Sequence, residues 1–347
     1  MAKNILHIAS CDKFIPPFIE FVKENFDFTQ HEFLIANGIA IKELKTTPNV
    51  HLSTPSVPSK LKRYWKSMIK MHQVDKVILH GLFDSRFVVM LFFMPWLLKK
   101  CYWVMWGGDL YVYQLGERNW KWKVREWCRR PVIKRMGYLV TYIDGDVDLA
   151  RSWYGAQGKH LECFMYTSNL YKEHNVEEKQ HAGINILVGN SADPSNNHLE
   201  ILHKLEAYKG QDITIYAPLS YGNQDYAKQV IAEGKKRFGE RFQPLTDLLP
   251  FEEYLKLLGV IDVAIFNHKR QQAMGNIITL LGLGKRVYIR SDVTQWQLLE
   301  KHGIQIFDVE KFELVVLDDG FSEHNKAYVK RHFSRNNYKN QLRALFS

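Results

Sequence analysis

The sequence predicts an α/β fold of two doubly wound domains, on three observations. Short apolar runs of strand length alternate with stretches of helical periodicity along the chain. A polar, charged break at residues 172–182 separates one such alternation from a second. Residues 184–198, INILVGNSADPSNNH, read as strand, tight loop and helix start. In that unit, free backbone N–H groups and the helix dipole favour an anion. Gly189 ends the apolar run, and Asp193, Ser195, Asn196 and Asn197 are all residues that cap helices.

In chain order, residues 4–9 read as a strand and 18–26 as a helix. Residues 31–36 form a second strand, ended by Asn37-Gly38, and 50–52 a short extended piece before a loop with Pro55 and Pro58. Strands follow at 76–79, 102–105 and 138–142, then a helix at 144–154. Beyond the break, strands are expected at 184–188, 213–217, 263–266, 287–289 and 304–307. Helical patterns fall at 226–238, 251–258, 275–283 and 294–301, and the tail 322–347 reads as helical and basic.

The 347 residues suit two domains, and 46% hydrophobic residues suffice for two cores. Four scattered cysteines argue against a disulfide framework or a zinc site, and the start lacks a signal-peptide layout, so a cytoplasmic location is expected. Lys plus Arg exceed Asp plus Glu by 47 to 37. Residues 59–72 and 118–135 mix many cations with Trp, Tyr and Met. Such a mixture fits either a membrane–water interface or a solvated helix face over a tryptophan-rich core; two stretches in one half favour the membrane. No nucleic-acid motif accompanies them. The run FVVMLFFMPWLL at 87–98 is too short to span a bilayer; it reads as a buried helix first and a shallow insertion second.

Polar groups gather after the predicted strands, where open α/β sheets hold ligands. In the second domain these are Pro218 to Gly222 with Tyr221, and Asn267 to Gln272 followed by Gly275 and Asn276. Arg270 suits a bidentate phosphate contact, Gln271 and Gln272 suit sugar hydroxyls, and Tyr221 suits stacking on a base. In the first domain His7, Asp12, His80, Asp84 and Asp109 end strands, and an imidazole or carboxylate there can take a proton from a hydroxyl. Asp144-Gly145-Asp146 has the form of a metal-binding pair, but aspartates also open helices. No Gly-x-Gly-x-x-Gly follows the first strand, which disfavours a dinucleotide.

With these residues in hand, the chain resembles the family 56 glycosyltransferases of bacteria. Ile186-Leu187-Val188-Gly189-Asn190-Ser191 with Asp193, Ser195, Asn196 and His198 follows one run of that family. Arg270-Gln271-Gln272 with Gly275 follows another, and Phe251, Tyr254 and Trp296 fit at their distances. His80-Gly81, Phe83, Trp106-Gly107, Asp109-Leu110-Tyr111 and Gly145-Asp146 fit in the first half. Ala192, Gly108 and Asn276 depart from the family's Gly, Ala and Thr.

The resemblance implies a GT-B fold, two Rossmann-like domains facing across a cleft, with boundaries expected at 1–175 and 183–320 and a helical tail at 321–347 returning to the first. It implies transfer of a deoxyamino sugar such as N-acetylfucosamine from a dTDP- or UDP-sugar to a lipid-linked saccharide, as in enterobacterial common antigen synthesis. It implies an enzyme that needs no metal or other cofactor and works peripherally at the cytoplasmic face of the inner membrane; inversion of the anomeric centre is expected if the acceptor hydroxyl attacks directly, and retention stays open. The donor side would comprise Gly189, Asn190, Ser191, Asp193, Ser195, Asn196, His198, Pro218, Tyr221, Phe251, Tyr254, Arg270, Gln271, Gln272, Gly275 and Asn276. The acceptor side would comprise Asp12, His80, Trp106 and Tyr111, with Asp109 as general base. The alternatives are a nucleotide-sugar epimerase of the same architecture and a non-catalytic subunit that binds lipid-linked sugars.

Overall fold

The computed structural model describes residues 4–10, 13–36, 44, 47–54, 56–172, 181–314 and 322–347. The chain divides into Met1–Ser168 with Tyr338–Ser347, and Asn169–Asn337. In the first unit β1 (Ile5–Ser10), β2 (His31–Ala36), β3 (Val50–Ser53), β4 (Lys76–His80), β5 (Cys101–Val104), β6 (Tyr138–Val140) and β7 (Lys159–Leu161) form one sheet in the order β3-β2-β1-β4-β5-β6-β7. Every pairing is parallel. Parallel strands need crossovers, and α1 (Ile15–Asn25), α2 (Val57–Gln73), α3 (Ser85–Phe92), α4 (Gly108–Leu115), α5 (Trp120–Lys134) and α6 (Asp144–Tyr154) supply them. The central strands are buried almost throughout, so they read as apolar runs rather than as alternating ones. Each fully buried large apolar side chain, as at Leu6, Phe33 and Trp103, contributes about 1.5–3 kcal/mol.

Local chemistry sets the element ends. Prolines open α1, and the Asp84 carboxylate accepts the N–H groups of Arg86 and Phe87 to start α3. The buried helix expected over 87–98 is broken. It ends at Phe92, and residues 95–100 form a separate 3-10 turn. Pro95 disfavours helical geometry in the residue before it, and Met94, at φ −126° and ψ 57°, has left the helical region. The break turns Phe93 and Trp96 outward.

The second unit repeats the plan. β8 (Ile184–Val188), β9 (Ile213–Pro218), β10 (Phe242–Leu245), β11 (Val263–Phe266), β12 (Arg286–Ile289) and β13 (Phe307–Asp308) are parallel in the order β10-β9-β8-β11-β12-β13. Its helices are α7 (His198–Leu205), α8 (Gln224–Phe238), α9 (Phe251–Gly259), α10 (Met274–Gly282), α11 (Thr294–Lys301) and α12 (Ser322–His332). The strand expected at 304–307 is shorter and later, at β13. Edge strands β7 and β10 were not expected: they are short, and Pro244 interrupts the pattern of β10. The tail is two helices, α12 and α13 (Arg335–Phe346), interrupted between His332 and Arg335. From Tyr338 onward α13 belongs to the first unit. Tyr338 is fully buried there, stacks on Phe164 at 5.2 Å and donates its hydroxyl to Met165 O at 2.6 Å.

In both sheets the winding direction reverses beside the first strand of the unit, between β1 and β4 and between β8 and β11. Such a switch point leaves a crevice outside the carboxyl ends of the strands.

Candidate functional site

The β8–β11 switch point gathers most of the residues expected to hold a donor. Val188 pairs with Ile265, and Gly189 N–H donates to Ile265 O at 2.9 Å, so the loops after both strands emerge side by side. Gly189 has φ +70°, and a β-carbon there would lie 2.4 Å from His198 Nε2. Only glycine lets the chain turn over that imidazole. The Asn196 side-chain oxygen then accepts from Asn190 N–H at 2.9 Å and from His268 Nε2 at 2.8 Å, tying the two loops together. Gln272 Nε2 donates to Asn190 Oδ1 at 3.0 Å, while Gln272 Oε1 accepts from the Ser195 hydroxyl at 2.9 Å. Asn190 Nδ2 reaches the Tyr221 hydroxyl at 3.2 Å. Arg270 Nη2 lies 3.3 Å from Asp193 Oδ2.

Burial pulls the Asp193 carboxyl up, but Ser195 and the Arg270 guanidinium outweigh it and hold its pKa below the ordinary value. Burial lowers His198 to about 4 and His268 to about 3, the latter helped by the charge of Arg270. Both rings are therefore neutral at pH 7. His268 donates through Nε2, while its Nδ1 and both nitrogens of His198 make no hydrogen bond among the described residues. Around them lie Arg270, the first turn of α10 with Gly275, and the amides of Asn190 and Gln272. Such a group can take an anion and hydrogen-bond hydroxyls.

The remaining expected donor residues divide. Gln271 follows Arg270 and accepts from its guanidinium at 3.2 Å. Asn276 donates to the Tyr254 hydroxyl at 2.9 Å, joining α10 to α9. Ser191 is buried beneath the loop, 3.4 Å from Asn196 Nδ2. Pro218 is buried as the last residue of β9, in register with Leu245. Phe251 opens α9, but its side chain lies outside the described residues.

The first unit corrects two assignments. Asp109 does not have the geometry of a general base. Its carboxylate accepts Trp103 Nε1–H at 2.6 Å, Leu82 N–H at 2.9 Å and Trp106 N–H at 2.9 Å, and the residue is 2% exposed. Holding three donors with both carboxylate oxygens, it fastens the loops after β4 and β5 together, and Arg129 clamps the same loops by donating to Leu82 O and Asp109 O. Tyr111, expected on the acceptor side, points inward: it is buried, donates to Asp146 Oδ1 at 3.3 Å and packs edge-on against Trp153. Asp146 is buried with it, and Asp144 and Asp146 occupy the first turn of α6. Asp12 lies outside the described residues.

His80 and Trp106 do come together, through a residue the sequence did not mark. The Tyr166 hydroxyl accepts from Trp106 Nε1–H at 2.9 Å and lies 2.8 Å from His80 Nδ1. His80 Nε2 is 3.1 Å from His7 Nδ1, and His7 Nε2 is 2.9 Å from His31 Nδ1. Tyr166 donating to His80, with each imidazole passing its Nε2–H onward, satisfies the whole series with neutral rings. Burial lowers His80 to about 3 and His31 to about 4, and holds His7 well below its usual value. Beside this series a cavity of about 400 Å³ opens at the ends of β1 and β2, lined by Ser10, Ala36, Lys60, Arg63, Asp84 and Arg86 among others. Arg63 Nη2 pairs with Asp84 at 2.9 Å, while its Nε has no hydrogen-bond partner among the described residues.

Sequence reasoning also missed Gln295, which is fully buried and whose Oε1 accepts Gln272 N–H at 2.9 Å. A helical Gln after a strand carries no local signal of such a contact. His268 was visible as part of a polar loop but not as the partner of Asn196.

Solved structures share this fold. The Anabaena protein HepE in complex with UDP-glucose superposes with a TM-score of 0.71 at 12% identity, covering 99% of each chain. The Candida albicans trehalose-6-phosphate phosphatase N-terminal domain gives 0.69 at 11% identity, covering 100% of this chain and 97% of that one. WaaG, a glycosyltransferase involved in lipopolysaccharide biosynthesis, gives 0.63 at 10% identity over 98% of each. At such identities they establish the GT-B fold. The family described as 4-alpha-L-fucosyltransferase, glycosyl transferase group 56, matches residues 13–341. With the Gly189 loop, the Arg270 loop and both parallel sheets inside that match, the chain belongs to glycosyltransferase family 56.

Proposed function

We propose that this glycosyltransferase moves a deoxyamino sugar such as N-acetylfucosamine from a dTDP- or UDP-sugar to a lipid-linked saccharide in bacterial surface-polysaccharide synthesis. The observation that carries the donor half is the β8–β11 loop network: Arg270 beside the first turn of α10, with the amides of Asn190 and Gln272 in one bonded set. That arrangement suits a diphosphate and the hydroxyls of a sugar. The UDP-glucose complex of HepE, on the same fold, supports a nucleotide-sugar donor. Arg270 and helix-end N–H groups can neutralise a leaving diphosphate, so the reading is of a transferase that needs no metal.

The acceptor half rests on the first unit. The cavity beside Lys60, Arg63 and Arg86 suits the phosphates of a lipid-linked saccharide, which supports the reading of an enzyme working at the cytoplasmic face of the inner membrane. In an inverting reaction the acceptor hydroxyl must lose a proton. The Tyr166 hydroxyl, hydrogen-bonded to the neutral His80–His7–His31 series, is the group suited to pass it on, with the low-pKa imidazoles serving as a relay and not as its resting place.

Thermal-shift titration with dTDP, UDP and their sugars, with and without magnesium, tests the donor reading. Stabilisation by one of these nucleotides, unchanged by magnesium, is expected. No shift with any of them overturns it, and conversion of the donor sugar without any acceptor would identify an epimerase instead.

A further inference from the structure

The first unit carries an apolar surface that its core does not use. On α2, Val57, Leu61, Trp65 and Ile69 recur every fourth residue and are 65%, 64%, 64% and 40% exposed. On α5, Trp120, Val124 and Trp127 follow a similar spacing at 69%, 58% and 67%. Phe93 and Trp96, thrown outward by the break before Pro95, are 68% and 60% exposed. These elements adjoin. Trp96 Nε1 donates to His72 Nε2 in the last turn of α2 at 3.2 Å, and Phe92 packs on Trp127 with ring centroids 4.9 Å apart. The surface thus runs without interruption from α2 across the 93–96 turn to α5.

Its charge is one-sided. Helix α2 holds Lys60, Lys62, Arg63, Lys66 and Lys70 and no Asp or Glu. Helix α5 holds Lys121, Lys123, Arg125, Arg130 and Lys134 outside its buried residues, while its single acid, Glu126, and Arg129 are paired in the interior at 2% and 3% exposed. Lys62, Lys121 and Lys123 are exposed beside the aromatic rings. A protein partner would need a complementary acidic and apolar surface. A bilayer offers both chemistries everywhere: anionic headgroups for the lysines and an interfacial layer in which tryptophan is favoured. No helix among the described residues is long and apolar enough to cross a membrane, so this face suits lying on the surface.

We infer that α2, the 93–96 turn and α5 form one docking face for an anionic lipid bilayer. The inference deepens the lipid-linked acceptor reading and rests on it for its purpose. Lys60, Arg63 and Tyr64 of α2 line the basic cavity as well, so a lipid held by this face would present its phosphates at that cavity.

Flotation of the whole protein with vesicles tests it. Binding is expected to vesicles of phosphatidylethanolamine with phosphatidylglycerol, and at least about tenfold less to pure phosphatidylcholine or in high salt. The variant W65S/W96S/W127S, altered only at exposed rings, is expected to lose about tenfold or more in partition. So is K62E/K121E/K123E, which leaves the apolar surface intact; both should keep the wild-type nucleotide-induced thermal shift. Wild-type protein that stays with the buffer, or that binds neutral vesicles equally well, overturns the docking face. So does a doubled solution mass abolished by the tryptophan substitutions, which assigns the face to a second copy. Failure to float with intact transfer to a detergent-dispersed acceptor would sink this face alone. Flotation without any nucleotide shift would sink the transferase reading instead.

Discussion

The two units are the same fold put to opposite surface uses. Each winds a parallel sheet both ways from its first strand, and each buries histidines at its switch point. The first unit links three in series and closes the series on Tyr166. The second leaves both ring nitrogens of His198 without a hydrogen-bond partner among the described residues. Outside, the first unit shows Trp65, Trp96, Trp120 and Trp127, whereas among the described residues of the second the large exposed apolar ones are Tyr221 and Leu248. Topology therefore decides where a site lies. What the site takes is decided by whether local side chains close it with their own hydrogen bonds or leave donors over.

Acid should separate the units most. The five histidines buried in the two units' networks have folded pKa values below 6.5: about 4 for His31 and His198, about 3 for His80 and His268, and well below for His7. The unfolded chain binds these protons first, so their stabilisation is complete above pH 6.5 and is lost as pH falls from there toward the folded values. Each costs about 1.4 kcal/mol per pH unit in that window, so the three in the first unit together cost about 4 kcal/mol per pH unit. Hydrogen exchange between pH 7 and 5 should show the first unit opening before the second; the reverse order would break the comparison.

Next in size is Asp109→Asn. One amide cannot accept from Trp103, Leu82 and Trp106 together, so urea unfolding should show a loss of about 3 kcal/mol in the first unit, with nucleotide binding kept. A variant of wild-type stability that turns over no substrate would restore Asp109 as the base. Tyr166→Phe leaves the packing but removes the hydroxyl between Trp106 and His80. Transfer should fall about 100-fold with an unchanged donor Kd, and an unaltered rate would exclude the histidine series from proton transfer. Arg270→Ala should weaken the nucleotide diphosphate about tenfold in calorimetry without moving the first unit's unfolding.

Much of this was legible. The run 184–198 announced its strand, turn and caps because those signals lie within a few residues of one another. The Arg270 loop was legible for the same reason, since it follows an apolar strand. Asp109 was found but misread. Its three donors come from residues 82, 103 and 106, and nothing local says that one carboxylate will collect them. Tyr111 was misread alike, because α4 turns it toward Asp146 on α6. Tyr166, Gln295 and the Asn196–His268 pair depend on contacts between segments distant in sequence, which no periodicity records. The basic, aromatic stretches 59–72 and 118–135 each read as two alternatives, a membrane interface or a solvated helix face over a core. The structure shows Trp65, Trp120 and Trp127 outside and Val132 and Ile133 inside, so α5 serves a core and an apolar surface at once.

The end of α13 bears on how the protein is made. Tyr338, Leu342 and Leu345 are buried within the first unit, and Phe346 lies against Phe26 and His31. During translation the sheet of the first unit leaves the ribosome early, yet it lacks these side chains until residues 338–346 have followed. The second unit, continuous in sequence, can complete its core first. The nascent first unit therefore waits, with the groove for Tyr338 vacant, through the synthesis of its entire neighbour, the interval in which a chaperone has most to protect.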